Sequence, residues 1–315
     1  MRLFLRLLGS LPVAIIGLAS GAPSPSTQRL LAPVPVSAPA AALTAGVPAD
    51  ATAPAAPTAL VTRPLRIPLA HSLLIAPHGC SGLGDRFDVL IHFHGAFATV
   101  EPQLMQSGID AVYLVQNLGN GSGAYEDAYA GRGALGAQLE SIRRTLDLYC
   151  GGSARSVARV ALSGWSAGYG AIYRILARPA EAARVDAILL ADGMHVGYEP
   201  GSRRVRAVAM APYLNFAAAS ARGERLMAVT HSAITPPGYA STSATAEFLV
   251  RELALDPAPA GNAEPRPGMH STGSNSRGSL SISGYAGGDA RAHCDHLYAI
   301  GDTLWSQLRE RWGLK

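Results

Sequence analysis

Aromatic residues are scarce, at 6% of 315 residues, and none occurs between Phe4 and Phe87. A stretch that long without rings cannot bury enough apolar area to offset the entropy of ordering it. Charge is thin as well, at 15%, with a formal net charge of +4. The densest basic run, Ser202–Arg206 (SRRVR), has no aromatics interleaved with it. That pattern excludes a nucleic-acid partner and fits a solvated loop. The three cysteines, Cys80, Cys150 and Cys294, form no CxxC pair and no Cys/His spacing of a structural zinc site. They allow one disulfide and leave one thiol over, with the pairing open. After the N-terminus no apolar run is long enough to cross a bilayer.

Residues 1–21 read as a secretory signal peptide. Arg2 and Arg6 precede the apolar run Leu7–Ala19, and the small residues Ala19, Ser20 and Gly21 offer a cleavage site. No cysteine follows to carry a lipid anchor. Residues 22–64 are dominated by Ala, Pro, Ser and Thr and read as a disordered linker. The expectation is therefore a secreted or periplasmic protein with no stable membrane insertion after signal cleavage. Its folded domain would span residues 65–315.

In that domain short apolar runs alternate with helical patterns, the signature of an α/β fold with a mainly parallel sheet. The predicted strands are Phe87–Phe93, Ala111–Gln116, Val157–Ser163, Asp186–Ala191, Arg225–Thr230 and Leu280–Ser283. Their apolar character suits burial on both faces. Helices are expected over Leu135–Leu148, Gly168–Ala183, Thr245–Leu255 and Leu297–Trp312. The stretches Asp256–Pro267 and Gly273–Arg277 read as loops. Gly119–Gly133, carrying Tyr125 and Tyr129, reads as a mobile surface loop or a substrate loop.

Chemistry concentrates at Gly164-Trp165-Ser166-Ala167-Gly168, a G-x-S-x-G motif between a predicted strand and a predicted helix. Such a turn brings backbone segments close together, and glycines two before and two after the serine remove the Cβ atoms that would clash. Ser166 is then a nucleophile presented at the C-terminal edge of the sheet. Acyl transfer also needs backbone N–H donors for the developing oxyanion. Ala167 supplies one by position. Ala96, or Gly95 beside it, supplies the other from the turn after His92-Phe93-His94. Trp165, Tyr169 and Phe97 are expected to line or flank the substrate pocket.

The general base is expected in Gly284–Leu297, which holds His293 and His296. His296, against the apolar start of the last helical pattern, is preferred, with His293 as the alternative. The orienting acid is expected at Asp192, at the end of a buried strand and before Gly193. Asp289 and Asp295 are held in reserve.

From about Phe87 to Trp312 the chain resembles the α/β-hydrolase superfamily. The resemblance is carried by LIHFHGAF, LSGWSAG, LLADG and the C-terminal DH before a helix, in the order Ser166, Asp192, His296. It implies an α/β-hydrolase fold with helices on both faces of the sheet. It also implies a cofactor-free Ser-His-Asp mechanism on a small-molecule or polymer-borne carboxylic ester, of esterase or lipase type. An acid placed this early departs from the common pattern, in which it follows the next strand.

Two other readings remain open at this level. One is a metal-dependent hydrolase using His92, His94, Asp192, His195, His231, His293 and His296 at the strand ends, with His92 and His94 facing the same side. The other is a non-catalytic binding protein, or an acyltransferase, on the same scaffold. Oligomeric state is not legible.

Overall fold

The computed structural model describes residues 63–152, 155–258 and 264–313. The expected signal peptide and nearly all of the expected linker lie outside the described residues.

The chain folds around one ten-stranded sheet. Its strands are β1 (Leu65–Leu69), β2 (Ser72–Ala76), β3 (Arg86–Phe93), β4 (Val112–Gln116), β5 (Ser156–Trp165), β6 (Ala187–Ala191), β7 (Leu226–His231), β8 (Asp256–Ala258), β9 (Ser271–Arg277) and β10 (Leu280–Tyr285). They lie in the order β1-β2-β4-β3-β5-β6-β7-β10-β9-β8. From β4 across to β10 every neighbour runs parallel. Antiparallel strands add on at both ends. All six strands expected from sequence are present. Strands β4 and β6 are buried along their whole length, and β3 along all but its first residue. Such strands read as continuous apolar runs.

The helices are α1 (Phe97–Gln106), α2 (Ser122–Ala128), α3 (Ala134–Cys150), α4 (Tyr169–Leu176), α5 (Pro179–Ala182), α6 (Ala207–Ala221), α7 (Thr242–Glu252), α8 (Ala290–Tyr298) and α9 (Ser306–Trp312). They cover both faces of the sheet. Val89, Ile91 and Phe93 of β3 pack with Leu139 of α3, Ile172 of α4, Tyr213 of α6 and Leu249 of α7. Leu90, on the opposite face, joins a second core with Leu104 of α1, Leu297 of α8, Leu308 of α9, and Trp305 just before α9. Period-two alternation thus divides strands β2 to β7 between two cores.

Several sequence expectations need correction. Asp256–Ala258 and Ser271–Arg277 are antiparallel strands, β8 and β9, not loops. Ser271–Arg277 (STGSNSR) is polar, so nothing in its composition marks a strand; backbone pairing to β10 on one side and β8 on the other decides it. The Gly119–Gly133 stretch contains α2, and its two tyrosines, Tyr125 and Tyr129, are buried in the core and do not line the cleft described below. The last helical pattern is broken: α8 ends at Tyr298, and a π-helical turn at Gly301–Trp305 precedes α9.

Cys80 and Cys150 form a disulfide with Cα atoms 5.2 Å apart, tying the end of α3 to the turn after β2. Cys294 is the free thiol.

Candidate active site

The site begins where the parallel strands end. From β3 the chain runs to β4 on one side and later returns to β5 on the other. The crevice at the carboxyl ends of strands flanking such a reversal is where open α/β sheets hold ligands. At this edge three side chains are aimed by unusual backbone. Of the four non-glycine residues with positive φ among the described residues, His94 (φ 72°), Ser166 (φ 47°) and Asp192 (φ 43°) directly follow β3, β5 and β6. A left-handed non-glycine residue costs on the order of 1–3 kcal/mol and persists only where its surroundings enforce it.

Close packing supplies that enforcement. A Cβ on Gly168 would lie 2.2 Å from the Phe93 carbonyl oxygen, and one on Gly193 would lie 2.8 Å from that of Ser166. Only glycine lets β3, the serine turn and the Asp192 turn approach this closely. Ser166 opens a single 3-10 turn, Ser166–Gly168, that leads directly into α4. Neither this turn nor α1, whose first flanking residue is Ala96, carries a side-chain cap. The first N–H groups of a helix lack intrahelical acceptors. Ala167 and Ala96 therefore sit where uncapped donors are concentrated, with Gly95 buried beside Ala96.

The acid–base pair differs from the sequence expectation. Asp192, 2% exposed, receives a 2.6 Å hydrogen bond on Oδ2 from His293 Nδ1. Its Oδ1 accepts the Ser232 backbone N–H at 2.9 Å and the Thr242 hydroxyl at 2.5 Å. Burial is the largest single influence on this carboxyl and pushes its pKa up. The bond from His293, the nearness of His296 and the bonds from Thr242 and Ser232 outweigh burial and hold it well below the usual carboxylate range. His296 is not the partner of Asp192. It is 1% exposed, its Nδ1 bonds Thr230 Oγ1 at 2.8 Å, and burial drives its pKa down to about 4. The apolar neighbourhood that favoured His296 in the sequence is what buries it. His293 is one helical turn earlier on α8 and partly exposed. The reserve acids are engaged elsewhere: Asp289 caps α8 through the Ala292 N–H, and Asp295 pairs with Arg266.

Ser166, Asp192, Thr242 and His293 line one cleft of about 300 Å³. His195, Ile234, Pro236, Tyr239, Gly288, Asp289 and Ala290 complete its wall. The Ser166 hydroxyl has no hydrogen-bond partner among the described residues. Serine–base contacts commonly tighten only when substrate is bound.

None of the three expected aromatics lines the cleft itself, but Trp165 and Tyr169 flank it, each packed on a histidine of its wall. Trp165 lies between two imidazoles, stacked on His94 at 5.0 Å and facing His293 at 4.9 Å. Tyr169 packs behind His195 at 5.3 Å and its hydroxyl meets Ser122 Oγ. Phe97 packs onto the core shared by α1 and α9.

His92 and His94 do not face the same side. His92 is sealed in the sheet, where Trp305 donates to Ser163 Oγ at 3.0 Å and Ser163 contacts His92 Nδ1 at 3.0 Å. His92 Nε2 then meets the His94 carbonyl at 2.8 Å. A carbonyl only accepts, so Nε2 carries the proton and Nδ1 takes the Ser163 hydroxyl. Burial drives the His92 pKa down to about 3, which keeps it neutral and holds the His94 turn in place. His94, past the strand end, bonds Tyr125 instead, and burial followed by the proximity of His293 lowers its pKa. Among the described residues no three His, Cys, Asp or Glu side chains converge as metal ligands.

No protein-family model matches the sequence, and no curated protein matches it. Among solved structures, a histone deacetylase from Saccharomyces cerevisiae is similar at TM-score 0.29 and 12% identity, over 54% of this chain and 72% of that one. The histone deacetylase Clr3 is similar at TM-score 0.28 and 11% identity, over 61% of this chain and 36% of that one. Similarity this low carries no argument about fold or chemistry.

Proposed function

We propose that this protein is an exported serine hydrolase of the α/β-hydrolase fold that cleaves carboxylic esters through Ser166, His293 and Asp192. The observation that carries the reading is the 2.6 Å His293–Asp192 contact in the same cleft as Ser166 on its positive-φ turn. The strand order, with the nucleophile after β5, the acid after β6 and the base after β10, supports the fold assignment. The Cys80–Cys150 disulfide supports an oxidising compartment.

Asp192 accepts the proton on His293 Nδ1, which leaves Nε2 as the basic nitrogen. His293 takes the Ser166 proton as the hydroxyl attacks the ester carbonyl. The carbonyl oxygen gains negative charge and is held by the N–H groups of Ala167 and of Ala96 or Gly95. His293 then protonates the departing alcohol, and water releases the acid from the acyl-enzyme by the reverse relay. No cofactor enters any step.

Fluorophosphonate labelling of the full chain tests this reading beside Ser166→Ala and His293→Ala. Labelling of the wild type that disappears in both variants is expected, with ester hydrolysis lost in parallel. A folded wild type that takes no label overturns the proposal.

A further inference from the structure

His195 is absent from the catalytic relay, yet it lines the cleft beside Ser166 and Asp192. Its place is set by backbone as well as side chain. The next residue, Val196, accepts the Ala240 N–H at 2.9 Å, and the preceding Met194 carbonyl accepts the Thr245 hydroxyl at 2.6 Å. The ring packs edge-on to Tyr169 at 5.3 Å and to Tyr239 at 5.0 Å. Its Nδ1 lies 3.1 Å from the Ala240 carbonyl oxygen. A carbonyl can only accept, so Nδ1 carries the proton, and in a neutral ring Nε2 keeps its lone pair. Nε2 has no partner among the described residues and is not among the sealed, unsatisfied polar atoms. Burial, ahead of smaller opposing influences, lowers the pKa of this histidine, which favours the neutral form.

The rest of the cleft sharpens what such an acceptor would meet. Ile234, Pro236 and Tyr239 give it an apolar wall. The Asp192 carboxylate is already occupied by His293, Thr242 and Ser232. His195 Nε2 is thus a fixed acceptor, without formal charge, in a largely apolar pocket. A polar group held in that way favours a substrate that carries its complement over one that lacks it.

We infer that His195 is a specificity-determining residue whose Nε2 accepts a hydrogen bond from a hydroxyl on the substrate group filling the cleft. The preferred substrate is then a hydroxylated ester, not its plain alkyl counterpart. This rests on the serine-hydrolase reading.

Two ester pairs of matched size test it by kcat/KM: phenyl 3-hydroxybutyrate against phenyl 3-methylbutyrate for the acyl side, and 2-hydroxyethyl butyrate against propyl butyrate for the alcohol side. The wild type is expected to favour the hydroxylated member of one pair by about 3–10-fold, the range of one neutral hydrogen bond. His195→Asn places an amide N–H where Nδ1 stood, keeping the bond to Ala240, and removes Nε2. His195→Phe removes both. Each is expected to bring the ratio close to unity. Equal turnover within both pairs in the wild type, or a preference that survives His195→Asn, overturns the inference. Wild-type fluorophosphonate labelling separates the two levels. A labelled protein without the preference sinks this inference alone, whereas an unlabelled one sinks the hydrolase reading itself.

Discussion

Trp165 donates its indole N–H to the backbone carbonyl of His293 at 3.0 Å, while its ring faces the imidazole of the same residue at 4.9 Å. The residue before the proposed nucleophile therefore holds the proposed base. Because Trp165 ends β5 and His293 sits on α8, this contact sets how the two elements stand at the site. Trp165→Phe keeps a ring and removes the donor. Loss of one neutral hydrogen bond predicts a fall in kcat of about 3–10-fold. Steady-state kinetics on a soluble ester check this, and an unchanged kcat contradicts a positioning role for the indole N–H.

The two histidines of α8 separate by experiment. His293→Ala should abolish turnover, a loss on the order of 10⁴-fold or more for the base of a serine relay. His296→Ala should retain fluorophosphonate labelling but unfold more easily. It opens a cavity and strips the Thr230 hydroxyl of its buried partner, at a cost of about 1–3 kcal/mol. Labelling and denaturant melts on both variants decide the matter; a dead His296→Ala that melts like the wild type reverses the assignment.

Buried neutral histidines make stability depend on pH. In the folded chain burial lowers His92 to about 3 and His296 to about 4. In the unfolded chain both titrate near 6.5. Their folded-state pKa values are depressed, so the unfolded state binds more protons between these limits. The contribution is complete above about pH 6.5 and is lost as pH falls toward 4, at about 1 kcal/mol per pH unit for each histidine. The depressed Asp192 carboxyl adds a further loss in the same direction at lower pH. Denaturant midpoints measured at pH 7, 6 and 5 should decline in step, and a flat profile would count against both buried rings being neutral.

The Cys80–Cys150 bridge closes a loop of 70 residues in sequence separation. Cross-linking that much chain lowers the entropy of the unfolded state, with a stabilisation of about 4 kcal/mol. A Cys80→Ser/Cys150→Ser double variant, or the wild type in reductant, should melt correspondingly earlier. Cys294→Ser, which touches no bridge, serves as the reference. Equal melting of all forms excludes a stabilising role for the disulfide.

The six parallel strands and the serine turn were legible in the sequence. Each is encoded locally: continuous apolar runs for strands buried on both faces, and a G-x-S-x-G spacing in which Gly168 is dictated by the approach of the Phe93 carbonyl. Asp192 could be named for the same reason, since it follows an apolar run and precedes a glycine that the Ser166 backbone requires. The choice between His293 and His296 was not legible. Both lie on one helix three residues apart, and which one meets Asp192 depends on how α8 rotates against β7 and β6. Tertiary packing buried His296 beside Thr230 and left His293 in the cleft. The strand Ser271–Arg277 was hidden because its pairing to β10 and β8 is made by backbone groups that every residue carries. His195 stood in view as a histidine beyond a strand end. Only the fold supplied the Ala240 carbonyl that sets its tautomer and the cleft that its other nitrogen serves. Local pattern thus determined the strands and the nucleophile. Contacts between residues distant in the chain decided which groups share a proton, because hydrogen bonding depends on distances that sequence spacing alone does not specify.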